Sequence, residues 1–419
     1  MRIPVLLFST LACALAQDTV LIRNAYIHPV VGQEIPSGSV LIQGGKIAGV
    51  GAKLAAPKGA TVIDAKGLHL YPGMINSATS IGLSEIGAVR ETNDISELGD
   101  FNPHLRALIA VNPESEHIAV TRANGITAVM TLPQGGIISG QGALIHLDGW
   151  TWEEMNLKGD AVVRLNYPAI VTSSGDFFNP RETAYAEAKK RYEEDVQKLR
   201  LFFEDARRYE KAKAAGGAGF QPDPKLEAML PVLAGKRPMM VVAQRERAIL
   251  DAIAFARRER VKIVLAEVRE PGKALAEIVK DKIPVILGET HSLPVEEDAP
   301  YDSQYTLPAE LNKAGVKFAF GSFDNQFARN LPYQAAAAVA FGLPKDVALK
   351  ALTLNAAEIW GLGSQLGSIE EGKLADLILT DGDPLETKTQ VRQMFIQGKS
   401  VSLDSKHTKL YEKYSKRPR

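Results

Sequence analysis

The stretch YPGMINSATSIG, residues 71–82, decides how the chain is read. A Pro-Gly turn releases an apolar run that ends in small polar residues, the pattern of a buried strand that delivers side chains to its carboxyl tip. Seven more runs repeat it: GITAVMTLPQ, GALIHLDG, AVVRLNYP, RPMMVVAQR, VKIVLAEVR, IPVILGET and VKFAFGSFD. Amphipathic stretches lie between several of them. RERAILDAIAFARRER places Ile249, Ile253 and Ala256 on one helical face, and Asn112-Pro113 is expected to open another helix that Asn124-Gly125 ends. Eight strands alternating with helices over residues 71–362 predict an α/β fold, a (β/α)8 TIM-like barrel, with its site at the strand tips.

Outside the barrel the chain changes character. Residues 17–70 and 363–402 read as short Val- and Ile-rich strands with Gly-containing turns, and FIQGK near the far end echoes LIQGGK near the start. Both ends together are expected to build a small composite β-sandwich. Within the barrel, about residues 181–213 form a charged helical insertion. Tyr185, Tyr192, Val196, Leu199, Phe203 and Ala206 fall on one stripe, suited to cover the barrel wall or to meet another subunit.

At 419 residues and 45% hydrophobic content the chain can bury a large core. Lys and Arg together equal Asp and Glu at 49 each, so the whole chain carries no basic footprint, and nucleic acid is not expected as a partner. Arg2 precedes an apolar run that is too short to span a bilayer. Ala14-Leu15-Ala16 offers a cleavage pattern, so residues 1–16 read as a signal peptide and the product as periplasmic or secreted, with no lipid expected on Cys13. Removal of that peptide also removes the only cysteine. A basic tail, 403–419, closes the chain.

The run from VLIQGGKIAGVG through IDAKGLHLYPGMINSATSIGL, with ALTLNAAEIWGLGSQLGSIEEGKLADLILTDGDPL near the far end, resembles the amidohydrolase superfamily, particularly its imidazolonepropionase-like branch. The resemblance implies a metal-dependent hydrolase barrel acting on carbon–nitrogen bonds other than ordinary peptide bonds, cyclic amides among them, with zinc or another divalent metal. In that family the first barrel strand ends Pro-Gly-x-Ile-Asp-x-His-x-His, because imidazoles two residues apart share a strand face and one metal. Here those positions hold Asn76, Ala78 and Ser80. The fifth strand has Val242 for a histidine, the sixth ends Leu265-Ala266-Glu267, and the fourth holds no lysine. The metal site is therefore expected to be degraded, with no cofactor.

The strand-eight aspartate of the family corresponds to Asp324, with Phe323 intervening; a shift of one residue would turn it to the other face unless a bulge restores it. Asp324, as general base, and Glu267 are the candidate catalytic residues. The strand tips also gather Thr79, Gln134, Asn166, Gln244, Arg245, Glu289 and His291, either a pocket for a small polar molecule or a solvated rim. The remaining histidines, His28, His69, His104, His117, His146 and His407, show no metal spacing. Glycine-rich PQGGIISGQG, residues 133–142, fits no phosphate-binding fingerprint and reads as a close-packed loop over the mouth. Residues 82–103 form a long polar loop carrying Glu85, Arg90, Asp94 and Glu97, either solvated or set over the mouth. Three functions stay open: a hydrolase of the family type, a metal-independent hydrolase using Asp324 or Glu267, and an inactive scaffold forming a homo-oligomer or pairing with a related amidohydrolase.

Overall fold

The computed structural model describes residues 19–175, 180–217, 219–294 and 298–418; the signal-peptide reading, Cys13 included, lies outside them. Near the N-terminus β1 (Val20–Ile27), β2 (Ile35–Gln43), β3 (Lys46–Gly51), β4 (Thr61–Asp64) and β5 (His69–Pro72) form one sheet. Pro72 hands the chain to β6 (Met74–Thr79), the first barrel strand. After it come β7 (Ile126–Thr131), β8 (Ile138–His146) and β9 (Asn156–Asn166), then a side hairpin of β10 (Ser173–Gly175) and β11 (Pro180–Glu182). The barrel continues through β12 (Met239–Val242), β13 (Ile263–Val268), β14 (Val285–Leu287) and β15 (Phe318–Phe320). β16 (Leu377–Thr380), β17 (Val391–Ile396) and β18 (Lys399–Val401) rejoin the first sheet, where β16 pairs antiparallel with β5.

All eight barrel strands stand where the apolar runs placed them, in the order β6 to β9 and β12 to β15. Asn76 closes the ring: its Nδ2 donates to Ser322 Oγ at 2.8 Å, and its Oδ1 accepts from Ser322 N at 3.1 Å. One departure from strict alternation follows from sequence length. Only six residues separate Thr131 from Ile138, too few for a crossover helix, so β8 returns antiparallel to β7 and is followed antiparallel by β9. His146, at the end of β8, therefore lies at the opposite end of the barrel from the strand tips. There it donates or accepts at 2.7 Å to Asp376, whose other oxygen accepts from Gln397 N and whose carbonyl accepts from Gly73 N. The Gly-Lys-Leu-Ala-Asp stretch thus fastens the terminal sheet to the barrel.

The terminal β element is one continuous eight-stranded sheet curled on itself rather than two separate sheets. Ile47 donates to the Lys373 carbonyl and Ala375 to the Gly45 carbonyl, so the β2–β3 turn meets the strand leading into β16. Ile22, Ile27, Val40, Ile42, Leu70, Leu377 and Phe395 fill the space enclosed.

Helices clothe the barrel. In Glu246–Glu259 the residues Ile249, Ile253 and Ala256 are buried as their spacing requires, joined by Ala252 and Phe255; burial of each isoleucine contributes about 2 kcal/mol, so Ile253→Asp would break this face. The insertion helix Tyr185–Ala215 buries Leu199, Phe203 and Ala206 against that wall. Phe203 meets Phe255 edge-on at 5.0 Å, and Tyr192 donates to Asp251 at 2.8 Å. Tyr185, the outermost member of the stripe, stays exposed. Asn112 does not start a helix: its side chain accepts from Glu114 N in a local turn, and the helix runs Glu116–Arg122. Gly125 ends that segment at φ +90°, where an added Cβ would lie 2.7 Å from Met74 Cε.

Candidate functional site

Strand alternation decides what the barrel lumen contains. Val162, Arg164 and Asn166 share one face of β9, and Met240 and Val242 share one face of β12. Register sets Val242 opposite both Asn166 and Ala266. These inward positions are mostly apolar: Ala78, Ala128, Met130, Val162, Met240, Val264, Ala266, Ile286 and Ala319 form one cluster, with Val242 and Phe323 packed against it. Two of the metal-ligand positions of the family pattern, Ala78 and Val242, thus belong to a hydrocarbon plug. Space is scarce as well, since a Cβ built on Gly321 would lie 2.9 Å from Ala78 Cβ and 3.0 Å from Ile286. Ser80 is buried but offers only a hydroxyl. Without imidazole or thiolate, and with carboxylates spread around the rim, these residues do not fit zinc. Among the described residues no three His, Cys, Asp or Glu side chains gather as a metal site.

A cation is nevertheless built into the lumen. Arg164 is buried, and its guanidinium approaches Glu267 at 3.4 Å and Asn166 Oδ1 at 3.2 Å. Burial lowers the Arg164 pKa, and the Glu267 charge opposes that shift. Gln244 Nε2 donates to the second Glu267 oxygen at 2.9 Å. Glu267 reaches this position because its φ of +55° puts an irregularity between the Ala266 and Val268 pairings. Asn166 Nδ2 donates to the Gly136 carbonyl at 2.9 Å and to Ser139 Oγ at 3.1 Å, tying the glycine-rich loop to the site. Arg164 was visible in the sequence only as the absence of a lysine; an arginine two residues before Asn166 on an inward face was the signal for it.

At the tips of β14 and β15 two carboxyl groups meet. Phe323, at φ +56°, donates its N–H to the Ala78 carbonyl and packs its ring on the lumen cluster. The turn at Phe323 leaves the Asp324 carboxyl in hydrogen-bond contact with Glu289. Glu289 is pushed up to about 7, first by burial, then by the hydrogen bond and charge of Asp324, with Arg269 opposing. Asp324 is held on three sides: its carbonyl accepts from Thr79 Oγ1 and Ser322 Oγ, and its Oδ1 accepts from Phe327 N at 2.8 Å. Arg269 is fixed by Ser292 Oγ, the Leu293 carbonyl and Gln304.

Not every rim residue joins this site. Arg245 caps the helix Glu246–Glu259 and lines a separate groove with Ile170, Tyr192 and Gly272. His291 is exposed and tilts against Tyr305 at 6.3 Å. Gln134 enters through its backbone, donating to the Ile95 carbonyl. The loop 82–103 packs onto the glycine-rich loop, because Ile137 and Ile138 both donate to the Asp100 carbonyl, but Arg90, Asp94 and Glu97 point to solvent.

Residues 248–401 match the model of the amidohydrolase family. An amidohydrolase of known structure from Thermotoga maritima MSB8 superposes with a TM-score of 0.80 at 27% identity, covering 91% of this chain and 99% of that one. Over residues 248–401 the chain is similar to the amidohydrolase family, and the likeness in fold extends over nine-tenths of its length. Amidohydrolase tasK of Hapsidospora irregularis is 24% identical over 90% of this chain, which spans less than half, 42%, of the tasK length. A prolidase solved with N-methylphosphonate-L-proline shares the amidohydrolase fold at 18% identity and a TM-score of 0.55. At the centre of this barrel an arginine–glutamate pair and a hydrocarbon plug occupy the lumen.

Proposed function

We propose that this chain is an exported hydrolase of carbon–nitrogen bonds that works without a resident metal, using the Glu289–Asp324 carboxyl pair. The observation that carries the proposal is the shared hydrogen bond between these groups at the tips of β14 and β15, with Glu289 pushed up to about 7. Such a pair keeps one proton near neutral pH and so supplies an acid and a base side by side. Asp324 takes a proton from water as the oxygen adds to the carbonyl carbon. Glu289 gives its proton to the nitrogen as the carbon–nitrogen bond breaks. The proton on Asp324 then passes to Glu289, restoring the pair, and the water is divided between the two products. Asn166, Gln244 and Arg164, gathered with Glu267 in the same barrel, provide polar groups for a small polar substrate. Cyclic amides are the first class to try, because the motifs of residues 40–83 and 351–385 resemble the imidazolonepropionase-like branch.

A second reading is a binding protein that has lost catalysis, assembling with itself or with a metal-bearing relative. It draws support from the apolar plug at the former ligand positions. One experiment separates the two. Chelator-treated protein should hydrolyse a member of a cyclic-amide and N-acyl panel, with loss of at least 100-fold in kcat for Glu289→Gln and for Asp324→Asn. Turnover that appears only with added divalent metal, or is unchanged in both variants, would refute the acid–base pair.

A further inference from the structure

The chain carries no net charge, yet its charges are unevenly placed on the barrel. At the base, the end opposite the strand tips, the helices Pro224–Leu233, Glu246–Glu259 and Ala274–Lys280 hand over to β12, β13 and β14. Each handover turns on a left-handed residue: Gly235 at φ +65°, Arg260 at +52° and Lys282 at +53°. These three residues line a groove of about 650 Å³, with Pro238, Pro284 and Ile359 part-exposed on its floor. Its charged residues are Lys236, Arg257, Arg260, Lys262 and Lys282 against Asp281 alone. Arg257 meets Asp281 at 2.7 Å and also Glu277, which Lys280 approaches at 3.6 Å, so that cluster is neutral. Glu259 is held by Arg207 and Arg258, and Glu358 by Lys317. Lys236, Arg260, Lys262 and Lys282 are exposed and form no ion pair among the described residues. Cations gather where helices end, because each carboxyl terminus carries about half a negative charge. Three such ends offset less than half of four unpaired cations, so the groove stays positive.

A complementary surface stands at the other end of the same barrel. In the loop 82–103, after the tip of β6, Glu91, Asp94 and Glu97 are exposed and form no ion pair among the described residues; Arg90 is the one cation of the loop. Asp100 is met by Lys198 at 3.5 Å, and Asp195 shares that lysine. The glycine-rich loop beneath, residues 133–142, carries no charged side chain. Among the acids, apolar side chains face solvent: Ile86 is 56%, Val89 39% and Leu98 95% exposed. The loop backbone is nevertheless fixed. Ser84 and Asn93 form a bridge, Asn325 Nδ2 donates to the Ser84 carbonyl, and the Ile95 carbonyl accepts from Gln134 N. Docking through this loop therefore has little backbone to order.

We propose that the loop 82–103 of one copy docks in the basal groove of a second copy of this chain. Glu91, Asp94 and Glu97 meet the four unpaired cations, and Ile86, Val89 and Leu98 cover the apolar floor. The two surfaces lie at opposite ends of the barrel, so the contact is head-to-tail and uses a different patch on each copy. Every copy in such a contact keeps one surface free, and further copies can add. A single loop in a single groove is small against the ~1,600 Å² of a standard interface, which makes the association weak and salt-dependent.

Sedimentation velocity of the full chain tests this. At low salt the average sedimentation coefficient should rise with protein concentration, and added salt should return it to the monomer value. Lys236→Glu with Lys282→Glu should abolish the rise, and so should Glu91→Lys with Glu97→Lys, both with unchanged thermal unfolding. The two variants, monomeric alone, should associate when mixed, because each keeps the surface the other has lost. Leu98→Ser, at a side chain outside any core, should weaken association about fivefold without altering charge. A chain that stays monomeric at low salt refutes the proposal. So does association that survives either charge variant, which would place the contact elsewhere, or a mixture that behaves as the sum of its parts. Polyglutamate binding to the groove of a chain that does not self-associate would assign the groove to an acidic partner of another kind and overturn the second copy.

Discussion

Glu267→Gln isolates what the lumen charge contributes. The substitution keeps side-chain length and leaves an oxygen to accept from Gln244, but it removes the anion 3.4 Å from a guanidinium whose side chain is 10% exposed. Breaking a buried pair from one side costs about 3–5 kcal/mol, because the remaining charge stays desolvated. The Glu267 side chain is 21% exposed, so water reaches part of the pair and the low end applies, about 3 kcal/mol. Arg164→Met alone should cost less, about 1–2 kcal/mol, since the carboxylate keeps Gln244 and some solvent. Adding Arg164→Met to Glu267→Gln should then cost nothing further, because no stranded cation remains; a coupling of about 2 kcal/mol in a double-mutant cycle leaves the double variant about 2–3 kcal/mol below the parent. Urea unfolding followed by circular dichroism measures all four proteins, with midpoints moving and slopes unchanged. Additivity within about 0.5 kcal/mol would show that Arg164 and Glu267 do not sense each other and that the lumen holds no electrostatic unit.

Other outcomes are expected from the same geometry. The folded-state pKa of Glu289 is raised above the ordinary carboxylate value, so its stabilising effect is complete at acid pH and is lost as pH rises toward about 7; Glu289→Gln should flatten that part of a Tm-against-pH curve, and an unchanged curve would contradict the shift. Ala78→His with Ser80→His and Val242→His should not rebuild a tight zinc centre, because Gly321 and Ile286 crowd Ala78 and Phe323 packs on the same cluster; overpacking should cost about 1–3 kcal/mol, and elemental analysis finding stoichiometric zinc would refute this. Burial lowers the pKa of His28 while Glu34 opposes the shift, and the ring lies 2.9 Å from His69. A depressed histidine stabilises above its unfolded pKa and loses that contribution as pH falls, so His28→Gln should reduce the acid sensitivity of the terminal sheet, read by hydrogen exchange in β1 and β5. Truncation at Gly363 removes β16, the partner of β5, and should expose Leu70 and the residues packed with it; a truncated chain with undiminished protease resistance would argue against the shared core.

Residues 40–83 and 351–385, together with eight apolar runs, were enough to place the barrel strands, because period-two patterning and Gly-Pro punctuation are local properties. The loss of imidazoles at Ala78, Ser80 and Val242 was equally legible, since residue identity alone removes a nitrogen ligand. Sequence could not say what replaced them. The Arg164–Glu267 contact joins strands 103 residues apart and depends on a left-handed residue at Glu267, and the Glu289–Asp324 contact depends on another at Phe323. A non-glycine residue takes that conformation only when its surroundings impose it. The His146–Asp376 fastening and the outward tyrosines of Lys406–Ser415 share that origin. Each is fixed by which surface the neighbouring chain already occupies, and that is settled only when the whole sheet has closed.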